Sequence, residues 1–348
     1  MTLPVIDESL LLKFLVDLLK TPSPTGYSEE AIALTERVFR AIPGVKTCRT
    51  RKGGLLVTME GEHENAPRAL AAHVDTLGAM VKKIKTSGRL TLSRIGGYAW
   101  NTIEGEGCTI FTREGRRVRG SVLVTTASGH VHGAKTGETK RDDDTMEVRL
   151  DENVSSDEEV KALGIEVGDF IAFDPRVELT NGFVRSRHLD DKAGVACLVE
   201  AARTLRAAGL KPVQTTHFFI SNFEEVGHGA AAGIPREVVE LVVVDMAAVG
   251  EGQASDEFHC TLCVKDSSGP YHHGLSSHLR RLGDEHKIPY KVDIYPYYAS
   301  DGSAFWQAGG DVAVALIGPG VDASHNYERT HTDALTATTN WIMAYLLN

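Results

Sequence analysis

Hydrophobic positions near the N-terminus repeat with helical spacing. Leu10, Leu11, Phe14, Leu15, Leu18 and Leu19 mark one face of an amphipathic helix, and Thr21-Pro-Ser-Pro-Thr-Gly26 ends it. Ser28 reads as the N-cap of a second helix, with Glu29 and Glu30 in its first turn, running to about Ile42-Pro43-Gly44. Gly54-Leu-Leu-Val-Thr-Met59 and Ala69-Leu-Ala-Ala-His-Val74 are apolar runs of strand length. From residue 75 to 182 the pattern shifts to alternation with frequent glycines and charged turns, as in Val118-Arg-Gly-Ser-Val-Leu-Val124 and Gly168-Asp-Phe-Ile-Ala-Phe173. That texture predicts a small β domain inserted into something else. Helical spacing returns over 190–208, followed by the strand Val213–Ile220, another helical stretch, and the buried strand Leu241–Asp245. Further strands are expected at Lys291–Tyr295 and Val312–Ile317, and a closing helix at about Leu335–Leu347. Strands alternating with helices imply an α/β fold: a mostly parallel, mixed sheet flanked by helices. The expected domains are 1–74 plus 183–348 for the main body and 75–182 for the insert.

Composition narrows the functional classes. The 348 residues carry 37 Lys+Arg against 47 Asp+Glu, a net charge of −10 without a basic run, which argues against a nucleic-acid partner. No apolar run approaches the roughly 18 residues of a membrane span, and the first residues lack the basic and apolar regions of a signal peptide. Five scattered cysteines fit free thiols in a reducing, cytoplasmic setting. Cys260-Thr-Leu-Cys263 is a single C-x-x-C where a zinc ribbon needs two, so it reads as structural.

In open α/β sheets ligands bind at the carboxyl ends of strands, and there this sequence concentrates imidazoles and carboxylates. His73-Val-Asp75 ends one strand, Glu224-Glu225 follows another, and Asp245 ends a third. His188-Leu-Asp190-Asp191 opens a helix, and His325, Glu328 and His331 follow the last strand. Each has a plain structural reading: a hydrogen-bonded His-x-Asp pair, a solvated glutamate pair, an N-cap with its first-turn acid. Asp245 is harder to explain that way, since it directly ends a run of valines where an unpaired carboxylate is costly. Together they suit a two-metal hydrolase, because imidazole and carboxylate donors bind zinc, cobalt or manganese without thiolates. One carboxylate outside the ligand set must carry the water's proton to the leaving amine, and Glu224 and Glu225 supply a group for each role. Asp75 is spaced to hold the second N–H of His73.

Ala72-His-Val-Asp-Thr-Leu-Gly78, His188-Leu-Asp-Asp-Lys-Ala-Gly194, Asn222-Phe-Glu-Glu-Val-Gly227 and Val243-Val-Asp245 occur in this order along the chain. The set resembles the glutamyl/tetrahedral aminopeptidase family of co-catalytic di-zinc metallopeptidases, whose fold is phosphorylase/hydrolase-like with an inserted small β-barrel. The resemblance implies that Asp190 bridges two divalent ions, with His73 and Asp245 completing one site and Glu225 and His325 the other. It implies Glu224 as general base and acid, supported by Asp75, and a cis bond between Asp190 and Asp191. It further implies short peptide substrates and a homo-oligomer built from dimers, up to a dodecamer, while the lack of a long apolar run predicts no membrane partner. In Ser324-His-Asn-Tyr-Glu-Arg-Thr-His331 two histidines could be the last ligand; His325 better matches the family spacing, with His331 as the alternative. Ser300-Asp-Gly302 replaces the usual Thr-Asp-Ala and keeps Asp301 as a substrate-pocket candidate, and His272 is a candidate for the rim. These departures suggest a divergent bacterial subgroup, with osmoprotectant peptide metabolism as its setting. Three other readings stand beside this one: a di-metal deacylase or carboxypeptidase acting on N-blocked amides, a metal-free glycosidase using Glu224 and Glu225, and a non-catalytic assembly protein.

Overall fold

The computed structural model describes residues 2–348 and divides into two compact units, 2–75 with 176–348, and 76–175. The insert is shorter at both ends than the expected 75–182. Asp75 instead hydrogen-bonds within the larger unit, and Glu178–Thr180 forms an edge strand against Phe183–Ser186.

The larger unit is built on a 13-stranded mixed sheet. Its centre is four parallel strands in the order Gln214–Ser221, His63–His73, Glu240–Val244 and Ala313–Asp322. Alternate residues of these strands feed two separate cores. Leu70, Ala72, Phe218, Ile220, Val242, Val244, Ala315 and Ile317 face the larger one, shared with the helices Glu8–Leu19, Leu189–Ala207 and Thr332–Leu346. Ala69, Ala71, Phe219, Leu241, Val243, Val314 and Leu316 face the other, shared with Tyr271 and Tyr295. Burial on both faces explains why these strands read as continuous apolar runs.

Two local expectations change. Glu29–Arg40 is helical and the Ser28 carbonyl accepts from Ile32, but the Ser28 side chain makes no cap bond. The helical stretch expected between residues 221 and 240 is a loop containing only the three-residue 3-10 turn Gly229–Ala231. Gly227 and Gly233 adopt positive φ there, which breaks helical continuation.

The smaller unit is a closed six-stranded antiparallel barrel with its own core, including Val81, Leu92, Ile110, Val122, Val148 and Ile171. The charged segment 140–144 is pinned by its own contacts: Arg141 pairs with Glu104, and the Asp142 carboxylate accepts the amides of Asp144 and Thr145. Among the described residues no helix is long and apolar enough to cross a membrane.

Candidate metal centre

Register brings the strand ends level. Ser221 pairs with His73, and Val243 with Ala71, so Asp245 lies in line with His73 at the carboxyl edge. Two groups of possible ligand atoms gather there, each within 4.8 Å: His73, Asp190 and Asp245, and Asp190, Glu225 and His325. Asp190 belongs to both. Its Oδ1 lies 3.1 Å from His73 Nε2 and its Oδ2 lies 3.3 Å from His325 Nε2. His325 Nε2 is 3.6 Å from Glu225, and His73 Nε2 is 3.7 Å from Glu224.

Each of these side chains is held by local chemistry. Nδ1 of His73 lies 2.9 Å from the Asp75 carbonyl, which only accepts, so Nδ1 carries the hydrogen and Nε2 faces Asp190. The sequence assigned that support to the Asp75 carboxylate, which stands 3.6 Å away. That carboxylate instead accepts the backbone amides of Glu224 (3.1 Å) and Glu225 (3.3 Å) and the Thr25 hydroxyl (2.7 Å). Asp75 therefore fixes the loop bearing both glutamates.

The bond between Asp190 and Asp191 is cis, and both residues have non-helical backbone at the head of Leu189–Ala207. Asp191 turns inward to accept the His73 and Gly194 amides, at 3.2 and 3.1 Å. A Cβ on Gly194 would come within 2.3 Å of that carboxylate, so only glycine fits beneath it. Glu328 accepts the amides of Asp190 (3.1 Å) and His325 (3.0 Å), holding His325 in a left-handed conformation with φ 63. The Tyr298 hydroxyl donates to the Met246 carbonyl beside Asp245. The sequence places Asp191 and Glu328 at this edge without a role for either, and it carries no signal for Tyr298.

The charge balance fits bound cations. Burial and then the charge of Asp190 push Asp245 up to about 7, and burial with the same charge pushes Glu328 up to about 8. Burial and neighbouring acids hold Glu224 and Glu225 well above the ordinary carboxylate range. Burial opposes a charged His73, but its hydrogen bond to Asp190 and the surrounding carboxylates outweigh it and raise its pKa. Asp190 goes the other way: burial is overcome by hydrogen bonds from His325 and His73, and its pKa falls. Buried acids crowded around two imidazoles are a donor set short of positive charge, which divalent ions would supply. The donors, two imidazoles and three carboxylates, fit such ions.

Three further sequence candidates stand outside both ligand groups. His331 pairs in a strand with Phe183, packs against the Phe183 and Phe258 rings and accepts the Asp333 amide through Nδ1. His272 is exposed, and its Nδ1 accepts the Leu275 amide as cap of the helix His273–His286. Asp301 is buried, accepting from the Ser221 hydroxyl and from the Ala230 amide at 2.6 Å. It braces the end of the strand leading to Glu224.

All five cysteines are free; four are buried and Cys48 is exposed. Burial pushes Cys260 and Cys263 each up to about 12, which keeps them as inert thiols. A maleimide should therefore label about one thiol per native chain and all five after denaturation. Rapid native labelling of the Cys260–Cys263 pair would contradict this placement.

A family model described as M42 glutamyl aminopeptidase matches residues 53–340. A Bacillus subtilis protein named "Putative aminopeptidase YhfE" is 48% identical over 336 residues, covering 96% of each chain. A TET aminopeptidase from a marine sediment archaeon of the Thaumarchaeota superposes with TM-score 0.87 at 17% identity, covering 97% of this chain and 96% of that one. The Pyrococcus horikoshii TET1 peptidase, described as assembling into a tetrahedron or a large octahedral shell, gives 0.83 at 21% identity, covering 97% and 99%.

Proposed function

Because the chain belongs to the M42 glutamyl aminopeptidase family, we propose that it is a metal-dependent aminopeptidase removing the N-terminal residue of short peptides. The observation that carries this reading is Asp190, whose two carboxylate oxygens face the imidazoles of His73 and His325 from one buried position. His73 and Asp245 would hold one divalent ion, Glu225 and His325 the other, with Asp190 shared. Zinc suits the donors best, with cobalt or manganese as alternatives. When bound, such ions polarise a carbonyl and make a water acidic enough to attack at neutral pH.

The rest falls to the chain's own side chains. Glu224 belongs to neither ligand group yet lies 3.7 Å from His73 Nε2, a position from which its carboxylate takes the water's proton and passes it to the leaving amine. Asp75 holds Glu224 there through the backbone amide. By the same family argument we propose a homo-oligomer. Free thiols support a cytoplasmic setting.

Matched substrates test the reading. Aminoacyl anilides with a free amine should be cleaved, and their N-acetyl counterparts should be poor substrates. A preference for the blocked forms would replace the aminopeptidase reading with a deacylase. Two substitutions test the ligand set. His325→Ala should leave about one tightly bound ion per chain, whereas His331→Ala should keep about two, by elemental analysis. The reverse pattern would move the last ligand to His331.

A further inference from the structure

The loop carrying Glu224 and Glu225 is held on one side by the Asp75 carboxylate. On another side the turn at residues 50–54, between the strands Val45–Arg49 and Leu55–Met59, packs against it. That turn is tight: Thr50 donates to the Gly54 carbonyl at 2.9 Å, and Gly53 donates to the Thr50 carbonyl at 3.0 Å. Gly53 has φ +89, and a Cβ there would lie 2.9 Å from Asn222 Nδ2. A Cβ on Gly54 would lie 3.1 Å from the Ile220 carbonyl, so the turn rests directly on the backbone leading to Glu224.

Lys52, in this turn, reaches both ends of the loop. Its ammonium donates to the His228 carbonyl and to the Gly229 carbonyl at 3.1 Å. It also lies 5.6 Å from the centre of the Phe223 ring, within cation–π range. Phe223 is the residue before Glu224 and is held at φ 69, and its ring stacks on His228 at 5.3 Å. One cation thus ties the residue before the glutamates to the residues that close the loop behind them.

We propose that Lys52 is a positioning residue for the reaction, clamping the 223–229 loop so that Glu224 and Glu225 keep their places. This rests on the aminopeptidase reading above. Burial lowers the pKa of Lys52 while the charges of Asp301 and Asp75 oppose that effect, consistent with a cation facing the acidic site. Lysine suits the task because three donors on one ammonium satisfy two carbonyls while the charge sits near a ring. Misplacing a reacting group by about 1 Å can cost on the order of 10²-fold in rate.

The test compares Lys52→Met, which keeps the chain length without charge or donors, with Lys52→Arg, which keeps both. In the metal-loaded full chain, K52M should lower kcat by about 10- to 100-fold with KM within about threefold and metal content unchanged. K52R should recover most of the loss. Amide hydrogen exchange across residues 223–229 should be faster in K52M than in wild type. An unchanged kcat in K52M, unaltered exchange in the loop, or a K52R variant no better than K52M would overturn the proposal. If K52M also melts lower, K52R at the wild-type melting temperature decides between a clamp and general stability. If the wild-type protein cleaves no aminoacyl substrate, the functional reading fails, and loop exchange alone still judges the clamp.

Discussion

Glu224→Gln should lower kcat by about three orders of magnitude while about two metal ions per chain remain bound. Glutamine keeps the size of the side chain but cannot take up the water's proton. The backbone of residue 224 stays anchored through its amide to Asp75, and neither ligand group includes its side chain. KM should therefore remain within about threefold of wild type, because the lost interaction belongs to the transition state. Steady-state hydrolysis of an aminoacyl anilide, with elemental analysis of the same preparation, reads both quantities. A variant with near-normal kcat would remove Glu224 from proton transfer. One that loses a metal ion would make it a ligand instead.

Asp190→Asn should be the most damaging single change to metal binding, because one side chain serves both positions. Asp190 is buried between two imidazoles, and hydrogen bonds from them hold its carboxyl below the usual range. Asparagine is neutral and offers one weakly coordinating oxygen, so both ions should be lost together, with activity falling below about 1% of wild type. His325→Ala, by contrast, should empty one position. Calorimetric titration of the metal-free protein with zinc would show no tight site in D190N. One intact tight site in that variant would show that Asp190 is not shared.

Two kinds of signal make this arrangement legible in the sequence: strand periodicity, and the ordered motifs that carry Asp190, Glu225 and His325. His73 and Asp245 end apolar runs, and a strand end in a parallel sheet faces the ligand edge. Two buried faces also gave the central strands a pattern no surface element would carry. What the sequence left open turned on backbone detail. His325 and His331 are both polar positions in one segment. They separate only because His325 adopts a left-handed φ under Glu328, while His331 enters a strand opposite Phe183. Asp75 was seen as a partner of His73 from its spacing, but spacing does not tell a carbonyl from a carboxylate. The stretch ahead of Leu241 carries a helical pattern but folds as a loop, because glycine turns and the Asp75 and Asp301 anchors override local propensity. Lys192, fully buried with its ammonium on the Leu18 and Thr21 carbonyls, gave no sign of its placement, since lysine is normally a surface residue.

The direct test of the metal-dependent aminopeptidase reading is to titrate activity against bound metal in the full chain. Exhaustive chelation should abolish cleavage of free-amine aminoacyl anilides. Restoring zinc, cobalt or manganese should return it in step with binding, reaching its plateau near two ions per chain. Full activity in protein shown by elemental analysis to be metal-free would contradict the account.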